Sequence, residues 1–186
     1  MKKLFIATAL TVCTLSAQAG NIYVQGDLGS SVFTLDDTTG TSSAVFNQRL
    51  SLGYDFGNQF RIALDYTNFG KLKESGTNGY HYATATLKVK SLGITGFYDF
   101  NISSKSKFVP YVGLRLSHNK VSATLDSNAL YTGSGSETST GLGILGGVQY
   151  KFSDRLSLNA NLEYNKLSSD LGLGEGSAKI GLRYNF

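Results

Sequence analysis

The strongest constraint on how this chain can fold is a two-residue alternation of apolar and polar side chains that recurs from Ile22 to Phe186. No segment repeats apolar residues at the 3.6-residue interval of a helix, so the chain reads as all β. Eight stretches carry the alternation, at 22–33, 46–56, 60–67, 82–100, 108–120, 139–152, 156–167 and 177–186. In the second, Leu50, Leu52, Tyr54 and Phe56 share one face while Arg49, Ser51, Gly53 and Asp55 share the other. The Gly57-Asn58 link to the third stretch is a hairpin signal. Pro110 stands near the start of the fifth, where a missing backbone donor is tolerated.

The connections alternate in length. Residues 57–58, 101–107 and 153–155 are short, whereas 34–45, 70–81, 121–138 and 168–176 are longer and rich in Gly, Ser, Thr and Asn. Antiparallel neighbours then place every short turn at one end and every long loop at the other. This predicts an all-β, eight-stranded antiparallel up-and-down barrel. Three short turns on the periplasmic side and four longer loops outside the cell are the layout of a transmembrane barrel of the bacterial outer membrane.

The first 19 residues are set apart. Lys2 and Lys3 precede an apolar run from Leu4 to Val12 and the small-residue site Ala17-Gln18-Ala19, the three parts of a secretory signal peptide cleaved after Ala19. The domains are therefore a leader, 1–19, and one barrel domain, 20–186. A rival reading makes Cys13 an acylated lipoprotein cysteine, but Val12 is bulky for the position before it. Loss of Lys2 and Lys3 lowers the formal charge from +4 to +2, which gives no reason to propose nucleic acid as a partner. Past residue 19 no apolar run approaches the roughly 18 residues of a membrane helix.

Alternation alone does not separate a membrane barrel, apolar outside, from a lipocalin-like secreted carrier, apolar inside. The aromatics argue for the first. Tyr54, Phe56, Phe60, Tyr98, Phe100, Phe108, Tyr150, Phe152, Tyr184 and Phe186 lie on the apolar face beside a short turn or the C-terminus, as a girdle at the headgroup boundary would. Tyr66 and Tyr164 suit the opposite girdle. The other face carries Asp27, Arg49, Asp55, Arg61, Asp65, Asp99, Arg115, Lys151, Glu163, Lys179 and Arg183, nearly balanced in sign. Asp27, Arg49, Asp65, Arg115, Glu163 and Lys179 fall at similar heights, with Arg183 nearer the short turns, so paired charges inside a narrow barrel are expected. The C-terminus completes the pattern: Gly181, Tyr184 and a terminal Phe186 have the spacing of the signal by which the barrel-assembly machinery recognises its clients.

Several of these segments resemble one family. Pro110-Tyr111-Val112-Gly113-Leu114-Arg115-Leu116-Ser117, the endings Tyr54-Asp55-Phe56 and Tyr98-Asp99-Phe100, and Thr140-Gly141-Leu142-Gly143 are similar to the opacity family of outer-membrane proteins, especially the neisserial surface protein A type. The resemblance spans the mature chain and is strongest in the second to sixth stretches. It implies a barrel that displays loops for adhesion or other contact with host surface molecules, among outer-membrane lipid and lipopolysaccharide. Because such proteins are also described as porins, a narrow channel for small solutes is the alternative.

Enzymatic and cofactor chemistry finds little footing. Gly141 to Gly146 reads GLGILG, a literal dinucleotide-binding pattern, but that pattern needs a helix to follow, and Gly147-Val148-Gln149-Tyr150-Lys151-Phe152 keeps alternating. Interior glycines at 141, 143 and 147 are expected instead to leave room for arginine and tyrosine side chains. His81 and His118 are isolated, and Ser117 should point away from its neighbour His118, so no nucleophile-base pair or metal site is expected. Asp36-Asp37 reads as solvated loop rather than a calcium site. The expectation is a non-enzyme with no cofactor, no metal and no catalytic residue. Lys71, Lys73, Tyr80, His81 and Tyr131 are its candidate loop contacts, since exposed aromatics and cations dominate many recognition surfaces.

Overall fold

In the computed structural model the alternation resolves into eight strands: β1 (Ile22–Leu35), β2 (Val45–Asp55), β3 (Phe60–Thr77), β4 (Tyr82–Asp99), β5 (Phe108–Ser127), β6 (Gly133–Lys151), β7 (Leu156–Ser168) and β8 (Leu173–Asn185). The structure describes residues 22–35, 44–77, 82–100, 106–127, 133–168 and 172–186; the expected leader and Asp36-Asp37 lie outside them. Each strand pairs antiparallel with its sequence neighbours, and β1 pairs with β8 from Tyr23↔Asn185 to Leu35↔Leu173, closing the barrel. Closure leaves no unpaired edge, which an apolar medium requires because it offers the backbone no partner.

The short turns are built from side-chain caps. At the β2–β3 turn Gly57 takes φ 72°, and Asp55 Oδ1 accepts from its N–H at 2.9 Å while Asn58 Oδ1 accepts from Phe60 N–H at 2.8 Å. At the β6–β7 turn Ser153 Oγ accepts from Leu156 N–H at 3.1 Å. Pro110 lacks a donor, but its carbonyl accepts from Phe100 N–H at 2.8 Å, so only one ladder bond is lost.

The opposite end departs from expectation. The spans 70–81 and 121–138, expected as loops, are mostly paired strand: β3 and β4 stay in register from Lys71↔Lys88 to Thr77↔Tyr82, and β5 and β6 to Leu125↔Gly133. In 70–77 the sequence offers only Leu72 among polar residues and glycine, and in 121–127 the alternation of Val121, Ala123 and Leu125 is hidden in a loop-like composition of Ser, Thr and Asp; a backbone ladder needs no continuous apolar face once it has left the hydrocarbon. β8 likewise begins at Leu173, within the expected loop 168–176. A bulge between Asn68 and Lys71, with Gly70 at φ 80° and Asn68 Oδ1 accepting from Gly70 N–H at 3.1 Å, marks where β3 leaves the regular wall.

The outward face is the apolar one. Leu114 is 70 % exposed, Leu142 68 % and Leu162 69 %, within a band of exposed Leu, Ile, Val and aromatic side chains. A continuous apolar surface of this extent is stable only against another apolar phase. Below it β2, β4, β6 and β8 all end in Tyr-x-Phe: the rings of Tyr54–Phe56, Tyr98–Phe100, Tyr150–Phe152 and Tyr184–Phe186 each meet edge to face at 5.1 Å. Tyr98 also meets Phe60 at 5.3 Å and Tyr150 meets Phe108 at 4.8 Å, linking the pairs across strands.

Candidate functional site

The inward-facing residues fill the barrel in layers. Nearest the short turns, Arg61 makes a bidentate bond to Asp99, Nε to Oδ2 at 2.6 Å and Nη2 to Oδ1 at 2.7 Å. Its guanidinium lies 4.6 Å from the Phe97 ring centre and 5.2 Å from that of Tyr111. Arg183 sits 3.7 Å over the Tyr23 ring and donates to Asp55 Oδ2 at 3.1 Å. Planar guanidinium groups suit this setting, since they stack on rings while bonding carboxylates in their own plane.

The middle layer is one connected ion network. Arg49 Nη2 donates to both oxygens of Glu163, 2.7 Å to Oε2, and Nε donates to Thr67 at 3.0 Å. Lys179 Nζ donates to the same Glu163 Oε2 at 2.8 Å. Arg115 holds Asp65 through Nε at 3.1 Å, and Thr95 donates to the second Asp65 oxygen at 3.0 Å. Arg49 lies 3.8 Å from Asp65, so the two halves join. Asp27, in register with Arg49, makes no direct ion pair among the described residues and accepts from Gln25 at 2.9 Å. Arg183 belongs to the layer below.

Above lies a polar layer and then an apolar one, neither expected from the sequence. Glu175, fully buried, accepts from Ser31 at 2.5 Å and from Asn165 at 2.6 Å; Asn47 donates to Ser31, and Asn119 to the Leu167 carbonyl at 2.8 Å. Over these, Phe33, Phe69, Val89, Val121, Leu167 and Leu173 form a buried cluster inside the barrel, with Phe33 and Phe69 edge to face at 6.0 Å. Parity carried the signal for this cluster, because Val89 continues the inward face of Ser91 and Val121 that of Asn119. Glu175 sits in a span that the glycines around it made look like loop.

The glycines of GLGILG lie inside the 19-residue strand β6, not at a helix start. A Cβ on Gly143 would strike Asn165, and one on Gly141 would lie 2.5 Å from Asn119 Nδ2. Room for a tyrosine is made at Gly147, whose Cβ would stand 2.7 Å from the Tyr111 hydroxyl; room for an arginine is made on β4, at Gly93 against Arg115. At the C-terminus Gly181 packs against Asp27, Tyr184 faces outward, and Phe186 N–H bonds the Ile22 carbonyl at 3.0 Å.

Of the candidate loop contacts, Lys71 and Lys73 are strand residues of β3, opposite Lys88 and Thr86, rather than loop residues. Tyr80, His81 and Tyr131 lie outside the described residues. His118 is an exposed residue of β5 facing Leu92. Among the described residues no three His, Cys, Asp or Glu side chains converge as a metal site would need.

A closed antiparallel wall with an apolar outside, an aromatic girdle and a filled ionic interior defines the class of integral outer-membrane β-barrels. The neisserial surface protein A crystal structure superposes with a TM-score of 0.66 at 31 % identity, over 89 % of this chain and 97 % of that one. Ail, the attachment invasion locus protein of Yersinia pestis, shares the fold at a TM-score of 0.61 and 16 % identity, over 91 % of this chain and 100 % of that one, in a structure with the heparin analogue sucrose octasulfate. A protein of Haemophilus influenzae is 46 % identical across 100 % of both chains. Residues 52–186 match the family described as Opacity family porin protein, and the chain belongs to the opacity family of outer-membrane proteins.

Proposed function

We propose that this protein is a non-enzymatic display scaffold, a closed barrel that holds raised hairpins outside the cell for adhesion or other contact with host surface molecules. The carrying observation is that the β3–β4 ladder continues from Lys71↔Lys88 to Thr77↔Tyr82, about 20 Å at the usual rise per residue, above a lumen packed with side chains. A paired ladder fixes the position of its own outermost pair, Thr77↔Tyr82, relative to the wall. Residues 1–19 export the chain and are removed after Ala19, and the C-terminal Gly181, Tyr184 and Phe186 are read by the assembly machinery. Membership of the opacity family supports contact as the role, and the sulfated ligand held by Ail makes sulfated polysaccharide the first partner to try.

The test expresses the full chain in a non-adherent Gram-negative host and measures binding to cultured cells and to immobilised heparin. Shortening the hairpins by removing 75–84 or 125–134 should abolish binding while heat-dependent gel migration, the sign of a folded barrel, persists. Equal adherence by intact and shortened barrels would sink the reading.

A further inference from the structure

Two pairs of lysines face each other on the outside of the wall. Lys90 of β4 is in direct register with Lys120 of β5, and Lys88 of β4 with Lys71 of β3; all four are exposed. Directly opposed like charges on one face of a sheet destabilise it, so the arrangement asks for an anion from elsewhere. The protein does not supply one among the described residues, where no carboxylate forms an ion pair with any of the four. Their place is as telling as their charge. On β4, Leu92 and Ile94 of the apolar band follow Lys90 on the same face, and on β5 Leu116 lies four residues below Lys120. The lysines therefore stand on the rim of the band, where lipid headgroups begin. Beneath them an open apolar groove runs between Ile94, Leu114, Leu116, Leu142, Ile144 and Tyr164, and it continues toward the girdle past Gly96 and Gly146, two outward glycines that leave the wall thin.

We propose that this face binds a phosphorylated lipid of the outer leaflet, its phosphates held between Lys71, Lys88, Lys90 and Lys120 and an acyl chain lying in the groove below. Sulfated polysaccharide would also satisfy the charges, but the lysines project sideways from the wall above an apolar groove, which suits an amphiphile. The site rests on the reading that the long hairpins face outward from the cell.

The test refolds the full chain into phosphatidylcholine vesicles with and without diphosphoryl lipid A and follows the temperature at which folded migration is lost. Lipid A should raise that temperature by several degrees for the natural sequence, dephosphorylated lipid A should not, and the rise should vanish in the K71Q/K88Q/K90Q/K120Q variant. Should that variant fail to fold, K90Q/K120Q should halve the rise or better. An equal rise in the variants, or the same rise from inorganic phosphate or heparin, overturns the site. Orientation is read separately by labelling Ser134→Cys, in a Cys13→Ser background, with an impermeant maleimide on whole cells. Labelled cells whose protein shows no lipid A effect defeat the site alone, whereas unlabelled cells defeat the outer-leaflet assignment and the display reading together.

Discussion

At the scale of single residues, the buried charges among the described residues are held by partners of fixed geometry, an opposite charge for most of them and the Gln25 amide for Asp27. Glu163 receives Arg49, Lys179 and Asn165, so removing it leaves buried Lys179 without its carboxylate and Arg49 with only Asp65, 3.8 Å away. Glu163→Ala should therefore cost about 3–5 kcal/mol, the range for breaking a buried pair from one side. Urea unfolding in lipid vesicles measures it, and the Arg49→Ala/Glu163→Ala double variant should lose less than the two single losses added together. A second contrast lies on β4. A Cβ at Gly93 would stand 2.8 Å from the Arg115 guanidinium, which Asp65 pins, whereas one at Gly96 meets nothing within 4 Å. Gly93→Ala should cost about 1–3 kcal/mol as overpacking does, while Gly96→Ala leaves unfolding in the same vesicles unchanged. The charges Asp27, Arg49, Asp65, Arg115, Glu163, Lys179 and Arg183 could be placed inward from parity alone. Which of them touch could not, because partners such as Arg49 and Glu163, 114 positions apart, meet across the lumen by barrel curvature that no local pattern encodes.

At the scale of elements, alternation located the strands wherever the wall meets lipid on one side and the packed lumen on the other. The strands escape it at 70–77, where Leu72 stands alone among polar residues and glycine, at 121–127, where the alternation of Val121, Ala123 and Leu125 is hidden in a loop-like composition, and at Glu175, where flanking glycines imitate a loop. The Tyr-x-Phe endings raise a question of role that the structure sharpens. Tyr184–Phe186 has the same ring geometry as Tyr150–Phe152, so as girdle pieces they are equivalent; only the last also ends the chain and bonds back to β1 through Phe186 N–H. Deleting Phe186 should lower the amount of protein assembled in the outer membrane several-fold while export past the inner membrane continues, and Phe152→Ala should leave that amount nearly unchanged. Fractionation with immunoblotting reads both. Equal losses from the two changes would reduce Phe186 to an ordinary girdle residue, and no loss from its deletion would end the assembly-signal reading.

At the scale of the whole molecule, the family's description as porins meets a lumen that buried side chains fill at level after level among the described residues. Eight strands enclose a width that side chains just fill, unlike the lumen of 16 or more strands. Here the filling is of four different kinds in series: rings and guanidiniums around Arg61, the network of Arg49, Asp65, Arg115, Glu163 and Lys179, the amide and hydroxyl layer around Glu175, and the apolar cluster around Phe33 and Phe69. An ion would have to displace charged partners in the first two and shed its water in the last. Opening one layer leaves the others shut, so Phe33→Ala/Phe69→Ala should conduct no better than the natural chain in planar bilayers. The natural chain should itself show little or no conductance. Joint loss of the apolar cluster and of Arg49 and Arg115 still leaves the Arg61 and Glu175 layers in place, so it too should produce no steady steps. Steady channels from the natural chain that change in size with Arg115→Ala would instead show that the ionic network lines a working path, and would move this protein from scaffold to pore.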